Sequence, residues 1–316
     1  MEVQFTDLVP SLQTLFSTDA DLAALQACLI RRRRKITGAA FAQGLVFGWL
    51  QNPDATSADL TASLARAGAA IKPQSLDGRF TPQAAGFFRL LLDKALAKVL
   101  APPSRALGLL ARFKGVYLID GTTIPLPAVL AEAWPGCGGT AAAVAGKASL
   151  KAVVRYEVSG GAITGLSLHA GKTSDVGTPP HRAPLPPRSL RLADLGFFGL
   201  DDLAGVDEQD AYYLTRIKSI CMVYDQQGRK CKLARYLARQ KGDRLDRCLW
   251  LGEGKRLKGR LLAIRTPEAV AAKRRCEAKE EAQRHGRQVS EETLALCGWT
   301  VFFTNVPRGV LSLQEA

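Results

Sequence analysis

Histidine is scarce, with three residues in 316, and the seven cysteines, Cys28, Cys137, Cys221, Cys231, Cys248, Cys276 and Cys297, include no Cys-x-x-Cys pair. Zinc modules built from paired cysteines and histidines are therefore excluded. An odd, scattered set makes no disulfide framework and fits a reducing cytoplasm. The N-terminus, MEVQFTDL, lacks a basic start followed by an apolar run, so no secretory signal is visible. Long apolar runs are missing too. Ile36–Leu50, behind the basic run Arg31–Lys35, is shorter than the roughly 20 residues of a bilayer span and contains Gln43 and glycines, so it reads as a buried helix.

Acidic residues are also in short supply, 29 Asp and Glu against 43 Lys and Arg, which leaves a net charge of +14. A folded chain this basic points to a polyanionic partner, because its cations gain free energy by releasing counterions from phosphates. Nucleic acid leads, an anionic membrane surface follows, and a merely basic soluble protein is the bland alternative. The composition, 47% hydrophobic and 23% charged, is that of a globular chain long enough for two domains, or for one with a large insertion.

Apolar residues recur at helical spacing from Asp19 to Leu100: Leu22, Leu25 and Leu29, then Phe41, Leu45 and Val46, then Leu60 and Leu64, then Phe87, Leu91 and Val99. Within this region Thr56–Leu60 offers a helix start, Gly68 a stop, and Lys72–Phe80 a second short helix. Helix, glycine turn and basic helix is compatible with reading a major groove, with Lys72 and Arg79 as candidate DNA contacts, although any small helical bundle has such turns. Pro102-Pro103 ends the region.

The periodicity then changes. Gly115–Asp120 is a compact apolar run, expected to be a buried strand entering a turn at Gly121-Thr122-Thr123. Lys151–Val158 and Ala162–Leu168 flank a Ser-Gly-Gly turn and read as a hairpin. A proline-rich linker, Thr178–Pro187, leads to the strand Ser189–Asp194, a helix from Leu200 to Val206 and a strand Ala211–Arg216. Beyond Ile217 basic residues alternate with apolar ones in strand-like fashion, and Ala269–Leu296 is a charged helical candidate with solvated i,i+4 pairs.

Asp120 and Asp194 each follow an apolar strand and precede a glycine-containing turn. An acid in that place is ordinarily a turn cap. If the two strands are neighbours, however, the acids meet at one sheet edge and can share a hard divalent cation, the arrangement phosphoryl transfer uses. Arg216 and Lys218 follow a strand and are candidates for phosphate contact, or for plain surface exposure. Asp175, in Gly171-Lys172-Thr173-Ser174-Asp175, reads as an Asx-type turn. Trp134 and Trp299 read as core or loop packing rather than as platforms for an unpaired base.

The series Leu118-Ile119-Asp120-Gly121-Thr122-Thr123, then Gly171–Asp175, then Asp194-Leu195-Gly196-Phe197-Phe198, then Tyr213–Lys218 resembles the DDE transposases of bacterial insertion sequences, specifically the insertion sequence 4 family. The likeness runs from about Ala40 to the C-terminus, and it places Asp175 at a family position near the active site, as the alternative to a turn former. It implies an α/β fold with a ribonuclease-H-like mixed sheet core, an N-terminal helical region and a β-rich insertion. The division expected is residues 1–104 for DNA binding, 105–218 for the core with the first two acids, 219–300 for the basic insertion, and 301–316 for a return to the core. It further implies catalysis of DNA cleavage and strand transfer with Mg²⁺ (Mn²⁺ may substitute) held by Asp120 and Asp194, on double-stranded DNA bearing terminal inverted repeats, by a homodimer.

The family's third acid is a glutamate in a Tyr-x2-Arg-x3-Glu-x6-Lys pattern. Tyr213-x2-Arg216 puts Ile220 at that place, Tyr236-x2-Arg239 puts Asp243 there with Trp250 in place of the lysine, and Glu315 matches a helix start rather than a ligand. The expectation is a chain truncated before its catalytic glutamate, defective alone, with an apolar sheet face left exposed. The alternatives are a non-catalytic DNA-binding remnant that occupies element ends or inhibits a full-length partner, and an unrelated basic hydrolase.

Overall fold

A computed structural model describes residues 5–30, 35–97, 108–137, 147–254, 256–284 and 286–316. The basic run Arg31–Arg34 lies outside the described residues. The chain forms two units, Met1–Ala101 and Pro102–Ala316.

The first unit is helical: α1 (Phe5–Thr14), α2 (Ala20–Gln26), α3 (Gly38–Gln51), α4 (Ser57–Arg66), α5 (Pro73–Asp77) and α6 (Pro82–Ala97). Its core holds Phe41, Leu45, Leu64, Leu76 and Phe87, all almost fully buried. The apolar stretch Ile36–Leu50 is thus a core helix, as its glycines foretold. A Cβ at Gly44 would stand 2.6 Å from Leu64 Cγ, so the glycine is what lets α3 and α4 approach. Helix α4 starts with a capping box, Thr56 and Asp59 bonding reciprocally. Helix α5 is a single turn of five residues, about 7.5 Å long, where a longer basic helix over Lys72–Phe80 was expected. Pro73 opens it, and Gly78 receives the chain as it leaves the helix.

The second unit is a mixed α/β structure around one ten-stranded sheet. Its strands are β1 (Val116–Leu126), β2 (Ala148–Glu157), β3 (Ala162–Ala170), β4 (Leu190–Ala193), β5 (Tyr212–Arg216), β6 (Met222–Tyr224), β7 (Lys230–Lys232), β8 (Arg244–Leu251), β9 (Leu257–Arg265) and β10 (Trp299–Thr304). They lie in the order β3-β2-β1-β4-β5-β10-β9-β8-β6-β7. Strands β1, β4 and β5 run parallel, and the other pairs are antiparallel. The basic rear therefore joins the sheet through β10 and extends it. Helices α7 (Pro179–Arg182), α8 (Leu200–Glu208), α9 (Leu233–Ala238), α10 (Glu268–Arg284) and α11 (Glu291–Leu296) complete the unit.

Three local expectations are corrected. The strand beginning at Val116 does not turn at Asp120. It continues through the β-branched run Thr122-Thr123-Ile124 to Leu126, because β2 pairs with it along its length. The proline-rich linker contains α7, which two prolines start. The charged helix of the rear is two helices, with Gly286 in a left-handed conformation (φ 63°) after the first and Ser290 capping the second.

Side chains alternate across the sheet. One face packs Leu203, Val206, Tyr213, Leu249, Leu261 and Phe303 into the main core. The opposite face carries a smaller cluster of Phe113, Val116, Leu190, Val306 and Leu311. Beside that cluster a row in consecutive register, Tyr156, Leu118, Leu192 and Leu214, remains partly open to solvent, with Leu118 41% exposed.

Candidate active site

Strands β1 and β4 are hydrogen-bonded neighbours running in the same direction, and their last paired residues are Ile119 and Ala193. Asp120 and Asp194 are each the next residue. The two acids therefore stand at the same level of adjacent parallel strands, Asp120 within β1 and Asp194 just past the end of β4. Beyond this level β4 ends, while β1 carries on beside β2. Asp194 keeps an extended backbone (φ −71°, ψ 170°) before a single 3₁₀ turn, Leu195–Phe197. It lies two residues beyond Leu192 and Asp120 lies two beyond Leu118, so both follow the partly open face.

Strand β5 pairs with β4 up to Thr215, opposite Ala193. Arg216 is again one residue on, and it is exposed. A row of Asp120, Asp194 and Arg216 thus crosses three parallel strands. Lys218 is placed differently: its ammonium lies 3.3 Å from the Phe198 carbonyl and over the Phe198 ring. Lys72 is exposed and Arg79 half-buried in the first unit.

Beneath the acids, Ile119, Val153 and Phe197 form a small buried cluster. Each flanks the site, Ile119 just before Asp120, Phe197 three residues after Asp194, and Val153 opposite Gly121. Burial of these side chains anchors both acid-bearing segments on one apolar floor.

Both carboxylates are exposed, and neither is ion-paired among the described residues. Asp120 Oδ1 accepts the Gly121 amide at 2.8 Å. Exposed, unneutralised oxygens side by side are suitable donors for a hard divalent cation, and such a pair is relieved of mutual repulsion when one binds. Among the described residues, however, no group of three or more His, Cys, Asp or Glu side chains is arranged to hold a metal.

Sequence reasoning passed over Lys151 and read Asp175 as a turn former in preference to a family position near the active site. The turn there is made by the Asp175 carbonyl, which accepts from Thr178 N at 3.3 Å and Thr178 Oγ1 at 2.8 Å. The Asp175 carboxylate instead receives Lys151 Nζ at 2.7 Å. The signal was partly available: Lys151 interrupts the apolar stretch Leu150–Val154 of β2, and a mostly buried ammonium needs a carboxylate. Other candidates are committed elsewhere. Glu315 is bonded by Ser312 and by both guanidinium nitrogens of Arg112, which holds its carboxyl down at about 2. Asp243 pairs with Arg265 at 2.9 Å. Trp299 is buried in the main core with Arg265 over its ring, and Trp134 is half-buried in a loop.

Residues 111–305 match the family described as the transposase DDE domain. The chain belongs to this family. Transposases of insertion sequences align with most of the chain. The transposase for insertion sequence element IS231B of Bacillus thuringiensis subsp. berliner is 26% identical over 313 residues, covering 90% of this chain and 63% of the relative. The transposase for element IS231F of Bacillus thuringiensis subsp. israelensis is 27% identical over 305 residues, covering 88% and 62%. That for element IS1151 of Clostridium perfringens is 24% identical over 269 residues, covering 78% and 55%. The chain spans about three fifths of the length of these curated relatives. The family match takes in Asp120, Asp175, Asp194 and Arg216. No helix among the described residues is long and apolar enough to cross a membrane.

Proposed function

We propose that this chain serves transposition of an insertion sequence. It binds double-stranded DNA carrying the terminal inverted repeats and contributes Asp120 and Asp194 to Mg²⁺-dependent cleavage and strand transfer at the element ends. The observation that carries this reading is the parallel register, in which both acids are the residues that follow Ile119 and Ala193, within a chain of the transposase DDE domain family. In this reading β1, β4 and β5 belong to a ribonuclease-H-like core, residues 1–104 bind DNA, and the basic strands of residues 219–300 add contacts to it. The protein acts in the cytoplasm, and a homodimer brings two element ends together.

Asp120 and Asp194 are the groups that hold the metal. Bound Mg²⁺, or Mn²⁺ in its place, lowers the pKa of an attacking water or 3′-hydroxyl and offsets charge on the phosphate. Arg216 lies in the same row and binds a phosphate oxygen next to the acids, where a guanidinium is a rigid two-toothed donor. The cluster of Ile119, Val153 and Phe197 keeps both acid-bearing segments from shifting, and placement on that scale governs rate. Lys72 and Arg79 supply phosphate contacts from the helical unit.

A second reading has its own support, the absence of a three-carboxylate group among the described residues. In it the chain occupies element ends without cutting them. Duplex oligonucleotides ending in the element's inverted repeat, beside a scrambled duplex of equal length, separate the readings. Metal-dependent strand cleavage at the repeat boundary that disappears in Asp120→Asn and in Asp194→Asn supports the first. Repeat-selective binding that weakens steeply with salt, with no cleavage and no effect of either variant, supports the second. Equal affinity for both duplexes refutes both.

A further inference from the structure

Asp175 lies between the two acid-bearing segments. A Cβ built on Gly121, the residue after Asp120, would stand 3.6 Å from Asp175 Oδ1. A Cβ built on Gly196, two residues after Asp194, would stand 2.8 Å from Oδ2. One carboxylate therefore touches the strand that carries the first acid and the turn that carries the second, and the two glycines make room for it. Its approach is from the Gly121 side of β1, the face opposite Asp120, since adjacent residues on a strand point to opposite sides. It backs the site and does not join the row of acids.

Asp175 is itself held. Lys151 Nζ donates to Oδ1 at 2.7 Å and to the Thr173 carbonyl at 2.6 Å, which ties the loop after β3 to β2. Lys151 is directly opposite Thr123 on β1, three residues past Asp120. The Lys151 side chain is only 12% exposed and that of Asp175 27%, so the pair is well shielded from solvent and ions.

We propose that the Lys151–Asp175 pair is a brace that sets the spacing of Asp120 and Asp194, and through it the divalent-metal affinity of the site. Asp175 is a positioning residue that acts through the two acids. The inference rests on the reading of Asp120 and Asp194 as metal ligands. Groups that orient ligands from behind commonly change metal affinity 10- to 100-fold when removed.

Titration of the full chain with Mn²⁺, followed by the electron paramagnetic resonance of the free ion, tests the brace without requiring turnover. Asp175→Ala is expected to weaken Mn²⁺ binding about tenfold. Gly196→Ala, which leaves every charged group in place and crowds only Oδ2, is expected to act in the same direction. Asp175→Asn keeps an acceptor for Lys151 and is expected to restore most of the affinity. A thermal melt of each variant identifies any that fail to fold, and Gly196→Ala remains decisive if Asp175→Ala is among them. Unchanged affinity in Gly196→Ala and in folded Asp175→Ala, with binding lost in Asp120→Asn, overturns the brace alone. Absence of Mn²⁺ binding by the unaltered chain overturns the metal-ligand reading and the brace with it.

Discussion

Arg260 is buried to 5% exposure in β9, and its guanidinium makes four bonds. Two go to the Asp246 carboxylate on β8 at 3.2 and 2.8 Å, and two to the carbonyls of Val306 and Leu311 at 2.6 and 3.0 Å. The side chain thus clasps the segment after β10, and with it the small cluster that contains Val116 and Leu190, directly before the acid row. Arg260→Met keeps the volume and removes the donors. Losing one partner of a buried ion pair costs about 3–5 kcal/mol. Asp246 retains Arg308 at 3.1 Å and some access to water, so the lower end applies, about 3 kcal/mol. For a unit of this size that lowers the melting temperature by about 6–12 °C. Burial would raise the Asp246 carboxyl, but the hydrogen bonds and charge of Arg260, then of Arg308, outweigh it and hold the carboxyl below the ordinary aspartate range. A carboxylate lowered in the folded state stabilises above its unfolded pKa, and that stability is lost as pH falls through the folded value. The unaltered protein should lose this contribution on acidification below the usual aspartate range, and Arg260→Met should show a smaller loss across the same window. Melting curves between neutral and acidic pH decide it. A variant that melts within about 2 °C of the parent at neutral pH, well short of the shift expected for this size, would refute the reasoning.

Two further substitutions test the main core. A Cβ on Gly259 would stand 2.8 Å from Phe303 Cε2, and Phe303 is fully buried, so Gly259→Ala should cost about 1–3 kcal/mol by overpacking; adding Phe303→Leu should recover part of the loss in a double-mutant cycle, and strict additivity would count against the contact. The Tyr213 hydroxyl is buried with no hydrogen-bond partner among the described residues, so Tyr213→Phe should stabilise by about 1 kcal/mol in a denaturant titration, and a loss of that size would show the hydroxyl to be satisfied.

How far the fold could be read from the sequence depended on whether one segment determined the outcome. The parallel level of Asp120 and Asp194 was legible because each acid ends a continuous apolar run, and such runs are buried strands that pair side by side. Helix α3 was legible for a similar reason: its length and glycines fit a core helix and no membrane span. The extent of β1 was not, since only pairing with β2 carries it past Gly121, and a partner strand more than twenty residues away leaves no mark in the run itself. Of Asp175 only a place near the active site, implied by the family resemblance, was legible, and not what its carboxylate does. A short Thr-Ser-Asp segment after a strand has the composition of a turn, and a turn does form there, through the carbonyl. What the carboxylate does depends on Lys151, 24 residues earlier, and on the absence of side chains at Gly121 and Gly196. Local pattern identifies the acids because each closes an apolar run, even though β1 itself carries on past Asp120. The groups that hold those acids in place come from separate loops and strands, and their meaning appears only when the sheet order brings them together.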